Sequence, residues 1–451
     1  MYSQISRRSF IKGSLVAGAG AAVSPILGPA VALAGPGHPL TKDHSPDVLN
    51  AWIPALYQAV RFERLSPPNA ARVYAYFGVA AYEAAVGGMP QHRSLGMQLN
   101  DLAMLPAVKP SLRYDWPTAV NAAMGAVVQA LFVGRIVSQQ ALADRSAAIH
   151  EERSAIVNDA QVMARSAAHG RAVAQQLTAW IERDGWADIQ GLAFTPPTGP
   201  SLWVRTPPNF GASIEPYWER VRPFALDPVT SCTPVRPVAY STDPGSAFYA
   251  QAQATHDAVV NLTDAQRETA LIWRDNPDGS TGLPSGHWTL ITNILIRDLG
   301  LDLARAVEVL ALHGIAVADG FTSCWTEKYR TNLLRPVTYI QANIDPSWNS
   351  FVNSPAFPEY TSGHSVGSAA AATTLTAVLG PIGFIDTSIT GYSPRSFSSP
   401  WEAAYEAANS RLLGGIHYPM GIAAGLDQGE CVAKAVLTRV RTRRGNTRQF
   451  P

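Results

Sequence analysis

The sequence predicts a mainly α-helical protein, a helical bundle with long irregular connections. Apolar residues recur at helical spacing in many separate segments of the 451-residue chain. Alternation typical of half-buried strands is scarce, and no repeat of about 20 to 50 residues is visible. Helices are predicted at 48–61, 68–86, 118–132, 138–183, 246–260, 264–273, 286–300, 303–320, 322–335, 365–379, 401–413 and 419–440. These observations indicate layers of packed helices.

One stretch of the chain cannot be continuous helix. Residues 185–243 are crowded with Pro, Gly and Trp, including the pair Pro207-Pro208. Proline removes a backbone donor and clashes inside a helix, so this stretch is either an ordered loop laid over the bundle or a linker. Its aromatic content favours the loop. We therefore expect one helical domain over 48–451 that contains this connection.

The N-terminal residues read as an export signal. The pair Arg7-Arg8 precedes an apolar run, rich in Ala and Gly, that reaches Ala34. A membrane anchor is the alternative, but the run contains glycines and prolines and lacks a long Leu/Ile/Val core. We predict a twin-arginine signal peptide over 1–34, recognised by the twin-arginine export machinery of a bacterium. The mature protein is then periplasmic or secreted, without stable membrane insertion, and 35–47 form a flexible lead.

The charge balance excludes one class of partner. The chain has 35 basic and 34 acidic side chains, of which the signal segment holds three basic and no acidic ones. The mature protein therefore carries 32 basic and 34 acidic groups, a net charge of −2. A near-neutral protein is not expected to bind nucleic acid. Hydrophobic residues make up 47% of the chain, which is enough for a sizeable core.

The cysteines form no recognisable framework. Cys232, Cys324 and Cys431 are far apart and odd in number, so they predict neither a metal motif nor a set of disulfides. A single disulfide in an oxidising compartment and buried free thiols both remain open.

Two cations begin a candidate anion site. Lys328 and Arg335 are seven residues apart, which at about 100° per residue places them on one helix face, two turns apart. Pro336 is expected to end that helix. Two basic residues on one helix face commonly just lie on a solvent-exposed surface. Their neighbours here are apolar, however, and cations beside a buried face need an anion.

A second segment, Ser362-Gly363-His364, precedes the predicted helix at 365–379. Ser362 stands at the N-cap position, where free N–H groups and a partial positive charge attract anions. Gly363 allows close backbone approach. The alternative is an ordinary capped helix with a surface histidine.

A third segment combines Arg411 with His417. The intervening pair Gly414-Gly415 should end one helix, and Pro419 suits the first turn of the next. A histidine held rigidly at such a turn can be a nucleophile or a ligand, although a core histidine is the common case.

The serine-glycine-histidine motif occurs twice, because Pro284-Ser285-Gly286-His287 repeats it. Only the copy at Ser362 lies between the lysine-arginine and the arginine-histidine segments. We therefore expect His287 to have a supporting or structural role. Asp275 is a candidate carboxylate partner for a site arginine, and Asp278 competes with it.

Taken in order, Lys-x6-Arg-Pro, Ser-Gly-His and Ser-Arg-x5-His resemble the signature of the vanadium-dependent haloperoxidases and the related type 2 phosphatidic acid phosphatase superfamily. The match covers residues 328–417. The sequence departs at Thr361, where the pattern usually has proline; this changes loop stiffness without removing a ligand. The resemblance implies a bundle of the haloperoxidase and acid phosphatase type.

The resemblance also implies a cofactor, vanadate, and a role for each motif residue. His417 would bind vanadium, and His364 would be the acid-base residue. Lys328 would in addition polarise hydrogen peroxide so that a halide attacks it, giving hypohalous acid that halogenates small organic acceptors. The residues expected to hydrogen-bond the vanadate oxygens are Lys328, Arg335, Ser362, Gly363 and Arg411.

The same pocket suits phosphate, because phosphate and vanadate share shape and charge. In an exported acid phosphatase of this superfamily, His417 would attack phosphorus and His364 would protonate the leaving alcohol. Trp325 and Phe357 match positions that line the halide site in chloride-using haloperoxidases, although aromatics commonly just pack in the core. Together they favour the haloperoxidase, with iodide, bromide and chloride all open. A binding protein without catalysis would need no pair of histidines.

Overall fold

The computed structural model describes residues 37–275 and 282–445. The predicted signal peptide at 1–34 and the candidate Asp278 lie outside the described residues. The helices are α1 (Asp47–Phe62), α2 (Pro67–Ala85), α3 (Trp116–Leu131), α4 (Ile136–Val157), α5 (Ala160–Ile181), α6 (Trp186–Ile189), α7 (Ala247–Val260), α8 (Asp264–Ile272), α9 (Pro284–Asp298), α10 (Leu303–Thr331), α11 (Pro336–Asn343), α12 (Gly363–Leu379), α13 (Pro400–Leu413) and α14 (Pro419–Arg439). The mainly α prediction is confirmed.

Within the described residues the sheet is a single hairpin. Strand β1 (Phe384–Asp386) pairs antiparallel with β2 (Arg395–Phe397), and Phe384 lies opposite Phe397. The hairpin packs its two phenylalanine rings together, 5.4 Å between centroids.

The long helix α10 forms the centre of the bundle and packs against α2, α9, α12 and α14. Two glycines bring its backbone close to that of α2. A Cβ on Gly78 would lie 2.9 Å from the Leu310 carbonyl oxygen, and one on Gly314 would lie 3.0 Å from the Ala75 Cα. By length and composition α10 could cross a membrane, but its apolar window is wholly buried inside the protein. It is the core helix that the site is built on.

Three predicted helix boundaries are wrong. The segment predicted at 138–183 is broken at Asn158, which has a φ of 47°, and Asp159 caps α5 by accepting from two backbone N–H groups. The predicted break near Gly320 does not occur, because a glycine packed against Val366 and Ala370 continues the helix without strain.

The third wrong boundary concerns the two site cations. Helix α10 ends at Thr331, since Asn332 adopts a left-handed conformation with a φ of 48°. Arg335 is the N-cap residue of α11, and Pro336 begins that helix instead of ending the preceding one. Lys328 and Arg335 therefore do not share a helix face.

The connection at 185–243 is packed on the bundle. Its backbone N–H groups at 224, 225 and 226 all donate to the buried carboxylate of Asp319 on α10. The indole N–H of Trp218 donates to Thr322 on the same helix. A disulfide between Cys232 and Cys431 joins the connection to α14, while Cys324 is a buried free thiol. In the N-terminal lead, Thr41 is buried and its hydroxyl donates to the Ala85 carbonyl.

Candidate functional site

Lys328 lies in the last turn of α10 and is fully buried. Its ammonium group donates to the carbonyl oxygens of Pro358 at 3.1 Å, Glu359 at 3.0 Å and Thr361 at 2.5 Å. Burial lowers the pKa of Lys328 to about 8. The ammonium is therefore fixed by the segment that leads into α12, and it keeps a charge at neutral pH.

Arg335 approaches the same place from the N-terminus of α11. Its Nε atom donates to the Phe357 carbonyl at 2.9 Å, and its Nη1 atom donates to the Ile416 carbonyl at 2.8 Å. The same Nη1 lies 3.2 Å from Nε2 of His417. The remaining nitrogen, Nη2, is buried and has no hydrogen-bond partner among the residues that the structure describes. The two cations thus converge through a turn, although the sequence placed them on one helix.

The N-terminus of α12 supplies the predicted serine, glycine and histidine. Ser362 is the N-cap residue, and its hydroxyl accepts from the backbone N–H of Ser365 at 3.3 Å. Gly363 begins the helix. His364 follows in the first turn, and its buried Nε2 atom has no hydrogen-bond partner within residues 37–275 and 282–445. Burial, together with the charge of Arg411, lowers the pKa of His364 well below its ordinary value, so its ring is neutral.

Arg411, on α13, is buried and hydrogen-bonded to the end of α8. Its Nη1 donates to the Arg274 carbonyl at 3.2 Å, and its Nη2 donates to the Ala270 carbonyl at 3.3 Å. Burial lowers its pKa to about 10, while the charge of Asp275 opposes that change. Asp275 therefore acts on Arg411 through its charge, and both Nη atoms bond carbonyls at the helix end.

His417 lies in the tight turn between α13 and α14, which Gly415 permits with a φ of +74°. Its Nδ1 atom is 2.8 Å from Glu359 Oε1. Burial and the charges of Arg335 and Lys328 lower the pKa of His417 well below its ordinary value. The pair is thus a neutral imidazole that donates to a carboxyl group, not an ion pair. With its hydrogen on Nδ1, His417 presents the Nε2 lone pair to the site.

Glu359 is a functional candidate that sequence reasoning missed. Its Oε1 atom accepts from the backbone N–H of Tyr418 at 3.0 Å as well as from His417. Its Oε2 atom is buried and has no partner in the described parts of the chain. Burial raises its pKa to about 7, although Arg335 and Lys328 pull it down. One signal was available, because several cations placed next to a histidine need a nearby carboxylate.

A narrow pocket opens between these groups. Gly363, His364 and His417 line it together with Trp325 and Phe357. The two aromatic rings, predicted as halide-site candidates, lie 4.9 Å apart between centroids. The Lys328 ammonium sits 5.7 Å from the Trp325 ring centre and 5.1 Å from that of Phe357.

His287 is not among the groups that line this pocket, but it lies behind it. It is fully buried in the first turn of α9 between two carboxylates. Its Nδ1 is 3.1 Å from Asp275 Oδ2, and its Nε2 is 2.8 Å from Asp386 Oδ2. Asp275 itself lines the pocket. The second copy of the serine-glycine-histidine motif is therefore connected to the site through Asp275.

Comparisons with known proteins agree with this geometry. Residues 308–446 match the family model for the second helical-bundle domain of vanadium chloroperoxidases. The first bacterial vanadium-dependent iodoperoxidase of known structure is 34% identical over 89% of this chain and 97% of its own, with a TM-score of 0.81. The chain belongs to the vanadium-dependent haloperoxidases. It is an enzyme of that family.

More distant haloperoxidases share the fold. The holo form of a bacterial vanadium-dependent chloroperoxidase is 16% identical over 83% of this chain and 91% of its own, with a TM-score of 0.61. The apo form has a TM-score of 0.62, with 95% of its chain covered. Residues 4–24 of this haloperoxidase match the twin-arginine signal model, so the enzyme is exported to the periplasm or secreted. No curated protein sequence matches the chain.

Proposed function

We propose that this haloperoxidase holds vanadate in the pocket and oxidises a halide, iodide, bromide or chloride, with hydrogen peroxide to hypohalous acid. The observation that carries the proposal is a pair of buried nitrogens, Nη2 of Arg335 and Nε2 of His364, that have no hydrogen-bond partner within the described part of the chain. Buried polar atoms are almost always hydrogen-bonded. Two such atoms close to Nε2 of His417, which lies 3.2 Å from Nη1 of Arg335, indicate a bound group that satisfies them.

The residues present fit an oxyanion such as vanadate. The cations Lys328, Arg335 and Arg411 are all buried, and buried charges need compensation. The first turn of α12 adds the N–H groups of a helix N-terminus. His417 would bind vanadium, while Ser362 and Gly363 would complete the set of donors. When bound, vanadate supplies a metal centre that makes hydrogen peroxide reactive toward halides.

His364 is the proposed acid-base residue. Its neutral ring has an unpartnered Nε2 that faces the pocket, and its other nitrogen bonds the backbone of Trp273. A neutral Nε2 can take a proton from hydrogen peroxide and return it to the departing oxygen. Lys328 is held by three carbonyls close to the same site, so its charge can withdraw electron density from the peroxide.

The aromatic side of the pocket bears on the halide. Trp325 and Phe357 line the pocket together with His364 and His417. Hypohalous acid formed there would halogenate small organic acceptors. The aromatic pair Trp325 and Phe357 forms the wall along which the halide would approach.

The test is to load the mature protein with orthovanadate and to assay peroxide-dependent oxidation of iodide, bromide and chloride, with phosphate-ester hydrolysis alongside. We expect halide oxidation that requires vanadate. His364→Ala should still bind orthovanadate but lose turnover, whereas His150→Ala, an exposed histidine on α4, should behave as the unaltered enzyme. Ester hydrolysis that vanadate inhibits, without oxidation of any halide, would favour the phosphatase instead.

A further inference from the structure

The repeated serine-glycine-histidine motif forms a buried three-residue chain. His287 bridges Asp275, which follows α8, and Asp386, which ends β1, with nitrogen-oxygen distances of 3.1 and 2.8 Å. The His287 ring has no exposed surface, and it stacks on Trp273 with 4.3 Å between ring centres. The ring is therefore fixed on both edges and on one face.

The chemistry of the bridge determines its charge. Carboxylate oxygens only accept hydrogen bonds, so both ring nitrogens must carry a hydrogen, and His287 is an imidazolium. Burial alone would lower its pKa, but Asp275 and Asp386 raise it to about 10. The chain Asp275-His287-Asp386 therefore has a net charge of −1, opposite to that of Arg411.

Asp275 connects this chain to the anion site. Its Oδ2 atom lies 3.1 Å from His287 Nδ1, and its Oδ1 atom is buried with no hydrogen-bond partner among the described residues. Asp275 also lines the pocket. Its charge favours the charged form of Arg411. The carbonyl of the preceding residue, Arg274, accepts from that same guanidinium. The orientation of Asp275 thus bears on Arg411 both through charge and through the backbone.

We propose that His287 is a positioning residue of the vanadate site: held by Asp386 from the hairpin, it fixes the Asp275 carboxylate and thereby the Arg411 guanidinium. The proposal rests on the proposed function, since it names the anion that Arg411 holds. Without His287, two buried carboxylates would be left adjacent, and one of them would take up a proton or turn away. Arg411 would then lose its counter-charge.

The experiment compares His287→Gln with the double variant His287→Gln/Asp386→Asn. In the single variant the amide can donate to Asp275, but its oxygen faces the Asp386 carboxylate, where neither group has a hydrogen to donate. In the double variant the new asparagine amide can donate to the oxygen of the new glutamine amide, whose own N–H group still donates to Asp275. That change restores an unbroken chain with the original net charge.

The readout is orthovanadate affinity, measured by direct titration of the folded protein, with inorganic phosphate as a second probe. A circular dichroism melt confirms folding. We expect the single variant to bind orthovanadate about tenfold more weakly or worse, as for other residues that orient a ligand, and the double variant to recover to within about threefold. His150→Gln, on the exposed face of α4, is the matched control.

Unchanged or tighter orthovanadate binding by folded His287→Gln would overturn the proposal. A double variant that binds orthovanadate as weakly as the single variant would also overturn it. The restored hydrogen bonds and net charge would then have no effect on the position of Arg411. If the unaltered protein binds phosphate but not orthovanadate, the proposed function fails, and the comparison of the variants is then made with phosphate. If it binds neither anion, both proposals are wrong.

Discussion

His417 Nδ1 lies 2.8 Å from Glu359 Oε1, and both side chains are buried. The contact fixes the hydrogen on Nδ1 and leaves a lone pair on Nε2, which points into the site with Arg335 Nη1 3.2 Å away. The Tyr418 backbone N–H donates to the same oxygen, so the carboxyl group is held in turn by the start of α14. A residue three positions before the N-cap of α12 therefore orients the proposed metal ligand.

The first prediction separates orientation from charge at Glu359. Glu359→Gln retains an oxygen that accepts from His417, so we expect orthovanadate affinity to fall only a few fold. Glu359→Ala removes the acceptor, and affinity should fall about 10- to 100-fold. Titration of both folded variants with orthovanadate checks this. Equal affinity for the alanine variant and the unaltered enzyme would show that Glu359 does not orient His417.

The sequence indicated most helices, because their apolar faces recur at a period that any core requires. It also selected the motif residues that the fold brings together around His417. Long-range packing decided what it missed. Arg335 reaches the site from a turn because Asn332 ends α10 early, and Glu359 contacts His417, which is 58 residues away along the chain. Neither relation leaves a periodic signal.

The second prediction concerns pH. Burial lowers the pKa of Lys328 to about 8, so its ammonium loses its proton as the pH rises through that value. Iodide oxidation should then fall by up to about tenfold per pH unit above 8. Lys328→Gln should be slower by about 10² to 10³ at neutral pH and should lack this alkaline fall. An identical alkaline limb in the variant would assign the titration to another group.

The third prediction concerns the aromatic wall. Phe357 faces both the Lys328 ammonium at 5.1 Å and the Arg335 guanidinium at 4.9 Å from its ring centre. Phe357→Leu removes these contacts and widens the pocket, so kcat/KM should shift about fivefold toward iodide, the largest of the three halides; this corresponds to about 1 kcal/mol. Phe132→Leu, a buried aromatic at the end of α3, is the control. Unchanged halide ratios would mean that Phe357 only packs.

The fourth prediction concerns the disulfide between Cys232 and Cys431, which are 199 residues apart. A cross-link that closes so long a loop restricts the unfolded chain, and its loss typically costs about 2–5 kcal/mol. We expect Cys431→Ser to lower the free energy of unfolding by that amount in denaturant titrations. Cys324→Ala is the control, since Cys324 forms no cross-link. If reductant destabilises Cys431→Ser as much as the unaltered protein, the cross-link lies elsewhere.

The last prediction concerns His313, which is buried in α10 and whose ring nitrogens form no hydrogen bond with any described residue. Burial lowers its pKa from 6.5 to about 3. Between these values the unfolded chain binds a proton that the folded protein does not, so stability falls as the pH drops below 6.5. By pH 5 the loss from this group should reach about 2 kcal/mol.

His313→Leu removes the titrating group while keeping an apolar side chain in the core. Its free energy of unfolding should therefore fall about 2 kcal/mol less between pH 7.5 and 5 than that of the unaltered protein or of His150→Leu, whose position on α4 is exposed. Equal losses in all three proteins would mean that folding does not lower the pKa of His313, and that the ring takes up a proton in the folded protein as readily as in the unfolded chain.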